Sequence, residues 1–87
     1  MALKTKAVRV ESLGEDILVR ELSARAQIEI IEAAEKSFEG VFIAVHYGVP
    51  DWADRSIDDL KDQLTLSQAT EIAGHVFTLS GVADEKN

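Results

Sequence analysis

Apolar and polar residues alternate through the first twenty positions of the chain. Val8 and Val10 are interleaved with Arg9 and Glu11, and after the stretch SLGED the alternation resumes with Ile17 and Val19 set against Leu18 and Arg20. A period of two puts one set of side chains on a single face of a pleated strand, so the pattern predicts a β-hairpin with strands near 7–11 and 16–21. Gly14 is the expected pivot, because it takes a positive φ without steric penalty.

At Ser23 the period changes. Ala24, Ile28, Ile31, Ala34 and Phe38 recur at helical spacing with glutamates and Lys36 largely opposite, and Val41, Phe42 and Val45 continue the stripe in phase past Gly40. The spacing predicts one helix over about 24–47, N-capped by Ser23 and closed by a left-handed Gly48 ahead of Pro50. The segment VFIAV is β-branched enough to form a buried strand instead. The phase match favours the helix, as does the modest penalty of an interior glycine, about 1 kcal/mol.

Ser56 with Asp59, and Thr65 with Gln68, have capping-box spacing and open two further helices. Their apolar positions are Ile57, Leu60 and Leu64, then Leu66, Ala69, Ile72, Ala73, Val76 and Leu79, which are expected to turn inward. Gly81 is placed just past the last helix, with Val82 folding back onto Phe77, and residues 83–87 are expected to fray. The expected fold class is α+β, mainly α-helical: an N-terminal β-hairpin followed by a long helix and two further helices, in a single domain over 1–87.

Size and charge narrow the function. A chain of 87 residues buries only roughly 60% of its unfolded surface, so self-association into a homo-oligomer is expected. With 46% hydrophobic and 29% charged residues, the composition is that of a folded domain. The net charge of −7 and pI near 4.6 disfavour nucleic acid and anionic membrane surfaces as partners. No segment approaches the roughly 20 apolar residues of a membrane span. The absence of cysteine excludes disulfides and thiolate zinc sites and fits a reducing cytoplasm.

Catalytic chemistry is not signalled. His46 and His75 have no second histidine or cysteine at i+3 or i+4, and the acidic group Asp51, Asp54, Asp58 and Asp59 lacks the order of a calcium loop, so neither metal nor cofactor is expected. Glutamates 29, 32, 35 and 39 read as a solvated helix face. The stretch LSQATEIAGHVFTLSGV has a faint helix-turn-helix cadence but only Lys86 as a cation from Thr65 onward. RSIDDL resembles a blurred acyl-carrier serine motif, with Ser56 as the attachment site. Arg55 stands where that family has aspartate, and an N-cap role for Ser56 is favoured. Among the aromatics, Phe38, Phe42 and Phe77 sit on predicted apolar faces and are most simply core. Tyr47 and Trp52 flank the central loop, where core is favoured over interface for Trp52. If the chain binds another polypeptide, Phe42, Tyr47 and Trp52 are the candidate contacts.

Several features together resemble the tail assembly chaperones of long-tailed bacteriophages and prophages. They are a basic hairpin ending in VRELSARAQIEI, a Glu- and Ala-rich helix, GVFIAVHYG, a short helix carrying DL, and the terminal LSQATEIAGHVFTLSGV. The resemblance spans nearly the whole chain, through motifs that are structural rather than catalytic. It implies a non-enzymatic protein that binds the tape measure protein, a long, largely helical, apolar chain, while tail-tube subunits polymerise around it. It also implies action in the cytoplasm of the bacterial host, absence from the mature virion, and in many members a frameshift-extended form that recruits the tail-tube protein. Codons GAA, AAA and AAC for Glu85, Lys86 and Asn87 would supply a slippery A AAA AAC. A small acidic inhibitor or nucleic-acid mimic is the remaining alternative, supported by charge alone.

Overall fold

The computed structural model describes residues 3–33 and 38–81. Strands β1 (Thr5–Val10) and β2 (Glu15–Arg20) form an antiparallel hairpin in which Val8 lies opposite Ile17. Val8, Val10, Ile17 and Val19 are buried on one face, as the alternation predicts. On the other face Arg9 and Asp16 pair across the strands at 3.5 Å. Gly14 has φ +71°, and the turn closes through bonds from the Leu13 and Gly14 amides to the Val10 carbonyl.

Four α-helices follow: α1 (Ala24–Glu32), α2 (Glu39–Gly48), α3 (Ile57–Gln63) and α4 (Leu66–Ser80), with a 3₁₀ turn at Pro50–Trp52. The architecture is therefore α+β and mainly helical. The predicted 24–47 helix is two helices, which corrects that expectation. VFIAV is helical, but Phe38, at the N-cap of α2, is left-handed with φ 61°. No bulky side chain adopts that conformation inside a continuous helix.

The caps at Ser23, Ser56, Thr65 and Gly81 are as predicted. The Ser23 hydroxyl accepts from the Ala26 amide, while Gln27 reaches back to the Leu22 carbonyl at 3.1 Å. Both capping boxes are complete, Ser56 with Asp59 and Thr65 with Gln68, and Gly81 ends α4 with φ +83°. The proposed contact of Val82 and the fraying of 83–87 lie outside the described residues, as do Ala34, Glu35 and Lys36.

Helix α2 is the central element. It packs on α1, α3 and α4, and Phe42, Ile43, Ala44 and Val45 are all buried. Gly48 is the last helical residue and is followed by an extended Val49, so it is not the left-handed cap that was expected. What it permits is close approach: a Cβ there would lie 2.6 and 2.7 Å from the two γ-methyls of Val76, itself fully buried on α4. Ala69, Ile72, Ala73 and Val76 close the core from α4, and Leu60 from α3.

The apolar stripe that periodicity marks along α1 faces outward: Ala24 is exposed, Ile28 is 53% exposed, Ile31 72%, and Phe38, beyond the helix and expected in the core, 55%. The side seated on the core carries Ala26, fully buried, and the half-buried Ile30. The helix has apolar residues on two faces. The smaller pair, Ala26 and Ile30, fits the narrow space beside α2, where Ile30 lies against Gly40.

Candidate interaction surface

Two polar clamps hold α1 and the hairpin in place. The Tyr47 hydroxyl donates to Glu29 Oε2 at 2.9 Å, joining α2 to α1, and Arg20 Nη2 donates to the Tyr47 carbonyl at 3.0 Å, joining β2 to the C-terminal turn of α2. The cation sits where the helix has spare carbonyls. The bond to Glu29, reinforced by burial, raises the Tyr47 pKa. At the hairpin tip, Glu71 of α4 accepts from the Glu11 amide, the Ser12 amide and the Ser12 hydroxyl at 2.6, 3.0 and 2.7 Å. Those bonds, the Ser12 hydroxyl first, hold the Glu71 carboxyl below the ordinary carboxylate range.

With α1 pinned to α2 rather than to α4, a crevice opens between α1 and α4. It has a volume of about 110 Å³ and is lined by Leu22, Gln27, Ile30, Ile31 and Phe77. Two turns back along α4, a shallower depression is bordered by Phe38, Leu66, Ser67, Thr70 and Glu71. Thr70 and Phe77 are seven residues apart and so lie on nearly the same side of α4, roughly 10 Å from one another. Gly74, exposed and with open space where a side chain would stand, lies between them. Ile31 at the crevice and Phe38 and Leu66 at the depression are exposed apolar members of this face, while the exposed Ile28 lies beside Arg25, Glu29 and Glu32 on the outer side of α1.

The sequence candidates fall elsewhere. Phe42 is 8% exposed and belongs to the core. Tyr47 is half-buried, with its hydroxyl engaged by Glu29 and the His46 ring edge-on to its own at 4.9 Å. Trp52 packs against the core edge, with the Arg55 guanidinium over its ring at 4.9 Å. These residues do not converge on the apolar face. Phe38 and Leu66 are expected inside from periodicity, which marks a stripe without saying which side of a helix is buried.

Other chemistry is sparse. His46 Nδ1 lies 2.9 Å from the Arg55 carbonyl, a bond it makes as donor. The Ser56 hydroxyl is engaged as a cap acceptor from the Asp59 amide. Among the described residues, no cluster of three His, Cys, Asp or Glu side chains could hold a metal ion, and no helix is long and apolar enough to cross a membrane. Comparisons with known protein families, characterised proteins and solved structures give no match.

Proposed function

We propose that this protein is a tail assembly chaperone of a long-tailed bacteriophage or prophage, holding the tape measure protein in solution while tail-tube subunits assemble around it. The observation that carries the reading is the exposure of Ile31 at the α1–α4 crevice and of Phe38 and Leu66 at the neighbouring depression on α4. An apolar helical client presents ridges of side chains at i, i+3, i+4 and i+7, and a groove walled by Ile30, Ile31 and Phe77 accepts one such ridge. Each contact is small, but many copies arrayed along one long client gain avidity. A net charge of −7 on each copy keeps the coated client dispersed.

The motifs running from VREL to the closing LSG support the same reading. In it, the chaperone acts in the cytoplasm of the bacterial host and leaves before the virion matures, and a frameshift-extended form, where made, recruits the tail-tube protein. Co-expression with the tape measure protein of the same tail gene cluster tests it. The wild-type chain keeps that protein in the soluble fraction, whereas Ile31→Asp and Phe38→Asp variants, shown to be folded by circular dichroism, leave it in the pellet. Equal solubility with and without the chain would overturn the reading.

A further inference from the structure

We propose that α1 is the seam of an antiparallel two-fold dimer, in which Ile28 of each copy packs on Ile31 of the other and Arg25 of each pairs with Glu32 of the other. Ala24, Ile28 and Ile31 follow one another at steps of four and three residues, the spacing of a helix–helix seam, and all three are exposed in the single chain. Arg25 and Glu32 each lie one residue beyond a seam position, Ala24 and Ile31, and so share one edge of it. A two-fold axis across the seam brings like edges together, Arg25 facing Glu32 at both ends. A parallel pairing would set Gln27 against Glu32 and gain no charge pair. The surface is therefore complementary to itself in one orientation only.

The charge order along α1 favours the same occupant. Arg25 stands in the first turn and Glu32 in the last, with no acid in the first turn and no base in the last. That order opposes the helix macrodipole when the helix is alone. Across an antiparallel partner the sense reverses, because Arg25 then lies beside the C-terminal end of the second copy's helix and Glu32 beside its N-terminal end. Among the described residues, the ion pairs are Arg9 with Asp16 and Lys61 with Glu39, and neither Arg25 nor Glu32 takes part in one. The seam borders the crevice through Ile31, which lines both, while the other crevice walls, Leu22, Gln27, Ile30 and Phe77, lie outside the seam. Pairing of copies does not depend on the chaperone reading.

Sedimentation equilibrium on the full chain, from about 10 µM to 1 mM, tests the pairing. A seam this short gives a reversible, weak dimer. Arg25→Glu alone and Glu32→Arg alone each weaken it by about tenfold or more, since each places like charges at both ends. The double variant Arg25→Glu/Glu32→Arg restores it to within a few-fold. Each single change improves the match to the macrodipole, so the variants keep α1 folded and any loss of association is not a loss of helix. A wild type that stays monomeric to 1 mM would overturn the proposal. So would a dimer insensitive to the single changes, or one not recovered in the double variant. In any of those cases the outer face of α1 is left to the client, and co-expression solubility decides the function separately.

Discussion

Phe38 combines two unfavourable features at one position. Its left-handed backbone, φ 61° and ψ 1°, costs a bulky residue about 1–2 kcal/mol, and its ring is 55% exposed instead of packed. Asparagine tolerates that conformation through its short polar side chain and loses nothing by exposure. Phe38→Asn is therefore expected to raise the unfolding free energy in urea by about 0.5–1 kcal/mol while lowering the solubility of a co-expressed client. A destabilised variant would show instead that the ring packs. Gly48 is the opposite case, where the smallest side chain is demanded by a neighbour. A methyl there meets Val76, whose branched side chain is stiff and fully enclosed, so Gly48→Ala should cost about 1–3 kcal/mol. Trimming the neighbour in Gly48→Ala/Val76→Ala should cost less than the sum of the two single changes, as measured by a double-mutant cycle.

Between elements, Glu71 fastens the hairpin tip to α4 as an ionised acceptor of three bonds. Its pKa is depressed in the folded state, so its contribution is present above the unfolded carboxylate pKa and lost as pH falls through the lower folded value. Thermal melts should show Glu71→Gln less stable than wild type near neutrality, with the gap closing as pH drops below about 4. A gap independent of pH would mean that shape, not charge, holds the tip. Such long-range pins leave no trace in local spacing, whereas the hairpin and the predicted N-caps Ser23, Ser56 and Thr65 are legible there. Val8 to Val19, Ser56 with Asp59 and Thr65 with Gln68 act within a few residues of one another, and local spacing encodes them. The break between α1 and α2 was hidden because the apolar stripe keeps its phase across Gly40. Gly48 was assigned a turn that helices often end on, when its role is set by a side chain 28 positions away on another helix.

Across the whole molecule, the apolar residues exceed what one core encloses. Val10, Val19, Val45, Leu60, Ile72 and Val76 are sealed inside, while Ile28, Ile31, Phe38 and Leu66 are not. This surplus was visible in the sequence as a long stripe, but its placement was not, since Ala26 and Ile30 took the inner side of α1. The crevice beside α4 and the outer seam of α1 both arise from that choice, and a helical client and a second copy are their proposed occupants.

The most direct test is the urea-unfolding free energy of Ile28→Ser/Ile31→Ser at low micromolar concentration, where association is negligible. Serine and isoleucine have similar helix propensities, so the comparison isolates packing. If the outer stripe is surplus to the fold, the double variant unfolds within about 0.5 kcal/mol of wild type. A loss of about 2–5 kcal/mol, the size expected for truncating a core isoleucine, would place those side chains inside the monomer and contradict the account.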